Sequence, residues 1–159
     1  MATLLFDLLT TSEATDRRNV FNVHLLASRV QEAILWSRAN VHVHAFPVGL
    51  FGASTGSAAA LAVAAAMPDQ LAAVVSRGGR PDLAGSVLAR VRAPTLLIVG
   101  ENDDAVLELN QDAYAELTCK KRLCIVAGAT HLFEEPGTLE QAARAAGDWF
   151  DRYLTEHKS

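Results

Sequence analysis

The run Phe51-Gly52-Ala53-Ser54-Thr55-Gly56-Ser57 constrains the fold most, because it sets Gly-x-Ser-x-Gly between an apolar strand and an alanine-rich helix. Pro47 to Phe51 reads as a short buried strand. Ser57 to Met67, SAAALAVAAAM, reads as a helix whose small side chains let it lie close to a sheet. The backbone has to reverse between them within a few residues. Gly52 and Gly56 are expected to relieve the crowding that a β-carbon would create there. Ser54 is then exposed at the carboxyl edge of the sheet, with the amino terminus of the next helix aimed at the oxygen it attacks.

A Gly-x-Ser-x-Gly string also resembles glycine-rich nucleotide loops, so its partners decide its value. Thr95 to Gly100, TLLIVG, is an apolar strand that runs into Glu101-Asn102-Asp103-Asp104. Arg122 to Val126 reads as another strand, and the small-residue turn Ala127-Gly128-Ala129-Thr130 delivers His131 just past its end. Serine, acid and histidine therefore follow in that order, each on a loop directly after a strand.

The rest of the chain alternates strand and helix, which predicts a parallel sheet covered on both faces. Strands are predicted near 2–8, 48–52, 71–76, 94–100 and 122–127, and helices near 23–38, 55–66, 104–117 and 138–154. The first helix carries Leu26, Val30, Ala33, Ile34 and Ser37 at helical spacing, so it should bury one stripe on the sheet. Arg80 to Gly85 reads as a turn or short helix. Without repeats, low-complexity tracts or linkers, residues 1–159 are expected to form a single domain.

These stretches resemble the α/β-hydrolases, and most of all the dienelactone-hydrolase-like group. The resemblance rests on ATLLFDLLT (2–10), GLFGASTG (49–56), VVSRGGRPDLAG (74–85), APTLLIVGENDDAV (93–106) and GATHLFEEPGTLE (128–140). It implies a three-layer α/β/α fold with a mostly parallel sheet of about five strands. It also implies a Ser54 nucleophile activated by His131, with Asp103 orienting the imidazole. Asp103 takes this role over Asp104 because the family pattern Gly-x-x-Asp-x-x-Val falls on Gly100 to Val106, leaving Asp104 as a helix N-cap. The Thr55 N–H, after the nucleophile, is the implied oxyanion donor.

The chain departs from the family at its amino terminus. Family members carry further strands ahead of the one resembling Ala2–Leu8, and a loop among them supplies the second oxyanion donor. On that resemblance a truncated version of the fold is expected. The strand order then leaves a gap between the segments resembling Ala2–Leu8 and Val48–Phe51, and an open sheet edge invites pairing with another chain. A homodimer or a rearranged sheet is expected.

Composition excludes several other classes. Half of the 159 residues are hydrophobic and the formal net charge is −4, which suits a compact domain. The one basic run, Lys120-Lys121-Arg122, reads as the solvated start of a strand, so no nucleic-acid partner is expected. Leu4 to Leu9 is too short to span a bilayer and is interrupted by Asp7, so no membrane partner is expected and the cytoplasm is the default location. Cys119 and Cys124 read as free structural thiols, with neither a disulfide framework nor a metal site.

Other polar residues have plain explanations beside chemical ones. His42 and His44 alternate in Val41-His42-Val43-His44 but lack a third ligand, so a surface connection is the reading. Arg77, at the end of a predicted strand, either binds a substrate carboxylate or pins a loop. Asp7 either approaches the pocket or caps the turn ahead of Thr10 and Thr11. Glu134 and Glu135 precede the last helix and need no catalytic explanation.

The expected function is a serine hydrolase acting on small carboxylic esters or lactones through an acyl-enzyme, with no cofactor and a small-molecule ester as partner. The alternative is an inactive hydrolase scaffold serving as a binding or assembly module. A short-chain dehydrogenase reading fails: the glycine-rich turn does not follow the first strand, Ser57-Ala58-Ala59 stands where a further glycine is needed, and no Tyr-x-x-x-Lys pair occurs.

Overall fold

A computed structural model describes residues 2–155, leaving Met1 and residues 156–159 of the expected domain outside the described part. Two four-residue helices, α1 (Thr11–Ala14) and α2 (Arg17–Val20), lead into α3 (Val23–Ala39). Thr10 caps α1 through a reciprocal capping box with Glu13, while Asp16 and Asn22 cap the next two helices with their side chains. Then follow β1 (Gly49–Ala53), α4 (Thr55–Ala66) and β2 (Ala73–Arg77). A 3-10 segment (Pro81–Arg90), kinked at Gly85, leads to β3 (Thr95–Gly100), α5 (Asp104–Glu116), β4 (Lys121–Val126) and α6 (Thr138–Thr155).

The four strands pair in parallel in the order β1-β2-β3-β4. Alternation along each strand sends side chains to opposite faces. Val74 and Leu97 point to one face, where α3, α4, the 3-10 segment and α5 enclose Leu26, Val30, Ile34, Leu61, Leu88 and Leu117. Ala73, Val75, Leu96 and Ile98 point to the other, where α6 supplies Ala142, Ala146, Trp149 and Tyr153. The Trp149 indole N–H donates to the Pro94 carbonyl at 3.2 Å, which satisfies its polar tip while the ring stays in the core. Fully buried Ala58 and Ala59 show why α4 is alanine-rich.

The four longer helices and four of the five expected strands lie where the sequence places them. The predicted strand at 2–8 does not form. Ala2 to Asp7 is exposed, irregular chain, with Leu5 93% accessible, and only Leu8 and Leu9 pack against the core. A strand needs a neighbour to accept its amide hydrogens, and among the described residues none stands beside this segment. The sheet therefore has four strands, with β1 at one edge.

The cysteines are free and partly buried, Cys124 within β4 against the α6-side core. His42 and His44 lie in the turns after α3, with His44 Nδ1 bonded to the Val41 carbonyl. No described helix is long and apolar enough to cross a membrane.

Candidate active site

Ser54 stands between β1 and α4 with φ 49° and ψ −125°. Residues with a β-carbon avoid this region, at a cost of about 1–3 kcal/mol. The turn is tight enough to dictate its neighbour. A β-carbon on Gly52 would lie 2.5 Å from the Gly56 carbonyl oxygen and 2.7 Å from Ser57 Cα, both backbone atoms. Gly56 differs from the sequence expectation: a β-carbon there meets only Leu8 Cδ1, at an ordinary 3.7 Å. Its open side faces the amino-terminal segment instead of β1, so crowding explains Gly52 and not Gly56.

Asp103 ends the turn after β3, and His131 follows the turn after β4. Their side chains meet, His131 Nδ1 lying 2.7 Å from Asp103 Oδ2. The carboxylate side chain is 14% exposed and the imidazole 41%, so the acid is largely shielded while the ring faces solvent. The two loops are laced together by backbone and amide groups. The Asn102 N–H donates to the Ala129 carbonyl at 2.9 Å, its Nδ2 to the Gly128 carbonyl at 3.1 Å, and the Gly128 N–H to Glu101 Oε2 at 2.8 Å. A β-carbon on Gly100 would sit 2.3 Å from the Ala129 carbonyl oxygen, which is how close these strand ends come.

Asp104 is not the cap expected of it. Asp103 holds the N-cap position of α5 without using its side chain there, and Asp104 is the first helical residue. Freed from capping, the Asp103 carboxylate turns to His131. Exposed Asp104 favours the positive end of the helix instead.

Thr55 is the first residue of α4, so its N–H has no acceptor within the helix. No hydrogen bond joins Ser54 Oγ to the imidazole among the described residues. Such bonds in unliganded sites often tighten only when substrate is bound. Arg77, half-buried at the end of β2, places its guanidinium 5.3 Å from the Phe133 ring centroid and makes no ion pair with a described carboxylate. Asp7 is exposed and bonded to neither Thr10 nor Thr11. The described residues hold no group of three or more His, Cys, Asp and Glu able to bind a metal ion.

Sequence reading gave Glu135 only a place ahead of the last helix and gave Phe133 no role, yet both support the site. Glu135 accepts from the Thr130 hydroxyl at 2.6 Å and the Thr130 amide at 3.1 Å, bracing the residue before His131. These bonds, the hydroxyl's first, hold the Glu135 carboxyl below the usual range. Phe133 adopts φ 58° and is 2% exposed, so its ring anchors the loop carrying His131. An acid four residues after a histidine was the one available signal, and it is common ahead of any helix.

The family model for the dienelactone hydrolase family matches residues 10–155, which takes in the turn at Ser54 and both loops of the Asp103–His131 pair. The chain belongs to the dienelactone hydrolase family. A dienelactone hydrolase from Anabaena variabilis superposes with a TM-score of 0.88 at 51% identity, over 93% of this chain and 70% of that one. The α/β-hydrolase fold recurs in more distant structures. An esterase domain from Rhodothermus marinus matches at TM-score 0.69 and 20% identity, covering 80% of this chain and 69% of its own. A monoacylglycerol lipase from Paleococcus ferrophilus matches at 0.67 and 18%, covering 82% and 76%. Curated relatives from two strains of Mycobacterium tuberculosis are 58% identical over 153 residues and carry the provisional name of a phosphoribosyl transferase. This family member spans 96% of its own length in that match and 34% of theirs, about a third of the relatives it matches.

Proposed function

We propose that this chain carries a serine hydrolase centre for small carboxylic esters or lactones, with Ser54 as nucleophile, His131 as base and Asp103 as its orienting acid. The observation that carries this reading is the 2.7 Å bond between His131 Nδ1 and Asp103 Oδ2, on loops at the same sheet edge as Ser54. With Nδ1–H donated to Asp103, the lone pair on Nε2 is free to take the Ser54 proton. Ser54 Oγ bonds to the ester carbonyl carbon as that proton moves. The tetrahedral intermediate then expels the alcohol, which leaves with the proton from Nε2. Water, deprotonated by the same Nε2, attacks the acyl-enzyme and releases the acid and free Ser54. The chemistry requires no cofactor.

Thr55 N–H is the proposed oxyanion donor, a reading supported by its position at the start of α4. Arg77 is the proposed contact for a substrate carboxylate, supported by its position beside the nucleophile strand and the absence of an ion pair with any described carboxylate. Asp7 precedes Leu8, which rests against Gly56, and is a proposed polar contact on the same side. A second copy is the proposed partner for the open edge of β1, and equilibrium sedimentation at the mass of one chain would overturn that assembly.

The absent bond between Ser54 Oγ and the imidazole favours a second reading, an inactive scaffold used for binding or assembly. We assign the phosphoribosyl transfer named for the M. tuberculosis relatives to the two thirds of those proteins that this chain does not match. Hydrolysis of a short-chain p-nitrophenyl ester by the wild type and its Ser54→Ala variant separates the readings. Turnover lost in the variant supports the hydrolase. Equal background rates support the scaffold.

A further inference from the structure

We infer that Asn110, on the helix that follows Asp103, is a positioning residue that sets the nucleophile and the histidine through the loop Gly78-Gly79-Arg80. The inference rests on the hydrolase reading for its effect on turnover, but its structural basis is independent of it. Ser54 is held in its strained conformation by backbone bonds on both sides. Its N–H donates to the Arg77 carbonyl at 3.3 Å. Its carbonyl accepts from the Ser57 N–H at 3.2 Å, the Ser57 hydroxyl at 2.7 Å and the Arg80 N–H at 3.1 Å. A high-energy backbone geometry persists only where its surroundings over-determine it. Arg80 supplies one of these restraints from outside the turn.

The loop that carries Arg80 touches both the nucleophile turn and the histidine loop. Arg80 N–H also reaches Ser57 Oγ at 2.9 Å, which ties the loop to α4. Gly78, at φ 50°, lies so close to the histidine loop that a β-carbon would sit 3.2 Å from the His131 carbonyl oxygen and 3.6 Å from His131 Cε1. A β-carbon on Gly79 would stand 2.0 Å from Ser76 Oγ and 2.4 Å from Ser57 Oγ. Both glycines are therefore dictated by contacts on either side of the loop.

Asn110 closes this arrangement from the helix that begins beside the acid. It lies fully buried in α5, and its Nδ2 donates to the Gly79 carbonyl at 3.0 Å and to the Val106 carbonyl at 2.7 Å. One amide group thus ties the helix that follows Asp103 to the loop that touches both Ser54 and His131. Without it the buried Gly79 carbonyl loses that donor, and the loop is free to shift away from the turn. A displacement near 1 Å at a catalytic group costs on the order of 10²-fold in rate.

The test compares Asn110→Leu and Asn110→Ser with Ala113→Gly, a buried change in the same helix at a residue that makes no hydrogen bond to the loop. The serine hydroxyl can still bond the Val106 carbonyl one turn back but is too short to reach Gly79. Turnover is counted per Ser54 titrated with a fluorophosphonate, so unfolded protein does not contribute. The expected result is kcat lowered about 10²-fold with KM changed by no more than about twofold, a split that a loss of stability alone does not produce. Amide exchange at Gly78 and Arg80 accelerates in the Asn110 variants. Ala113→Gly lowers the melting temperature without these changes. Asn110→Ser behaving like Ala113→Gly in kcat and in Arg80 exchange overturns the inference. If the wild type shows no Ser54-dependent turnover, the hydrolase reading fails by itself. Exchange at Gly78 and Arg80 then decides the link: acceleration upholds it and unchanged exchange overturns it.

Discussion

His131 Nδ1 and Asp103 Oδ2 lie 2.7 Å apart, joining two loops that follow adjacent parallel strands. Asp104, one residue further, begins α5 and faces solvent. An amide at position 103 can hold the imidazole in the wrong tautomer, so Asp103→Asn is expected to lower kcat by up to about 10⁴-fold. Asp104→Asn should leave it nearly unchanged. Ester turnover by the two variants checks this, and a reversed order would exchange the two roles.

Gly52 and Gly56 flank Ser54 symmetrically in sequence but not in space. An alanine at 52 drives its β-carbon into the backbone of Gly56 and Ser57, and neither can move without breaking the turn. Gly52→Ala is expected to destabilise by more than about 4 kcal/mol or to prevent folding. Gly56→Ala meets only a side-chain methyl of Leu8 and gains helix propensity, so it should raise stability by up to about 1 kcal/mol. Chemical denaturation of both variants reads the contrast.

Glu135 gives the histidine loop a pH dependence. Its folded-state pKa is lowered by the Thr130 hydroxyl and amide, so its contribution is present above the unfolded pKa and is lost as pH falls through the folded one. Glu135→Gln should therefore melt below the wild type at neutral pH. The gap should close in acid, below the ordinary glutamate value of about 4.3. The bonds to Thr130 are open to solvent, so the difference is small, and melting curves across this pH range test its sign.

Phe133 anchors the same loop from beneath. Its ring is buried and carries the Arg77 guanidinium on its face. Phe133→Ala should cost about 3–5 kcal/mol through the cavity it leaves. Arg77 loses its resting place as well. Denaturant unfolding gives the first quantity, and KM for a carboxylate-bearing ester compared with a neutral one reads the second.

Much of this architecture was legible in the chain. The helix expected at 23–38 runs from Val23 to Ala39, and its predicted stripe buries Leu26, Val30 and Ile34. The strand expected at 94–100 runs from Thr95 to Gly100 and is buried throughout. In each case the local pattern and the burial it implies agree. Residues 2–8 failed because their apolar pattern is as strand-like as that of β3. What differs is the neighbour that would accept the hydrogen bonds, and a neighbour is not a local property.

The order Ser54, Asp103, His131, each directly after a strand, is a feature of the sequence alone, as is the requirement for glycine at position 52. Hydrophobic period and turn chemistry act over a few residues, so they are written in consecutive letters. Tertiary structure alone decided that Glu135 braces Thr130 and that Asn110 grips the Gly79 carbonyl 31 positions away. Each of these depends on the distance and angle between side chains brought together by the packing of separate strands and helices. Those quantities come into being only when the sheet closes around its two cores.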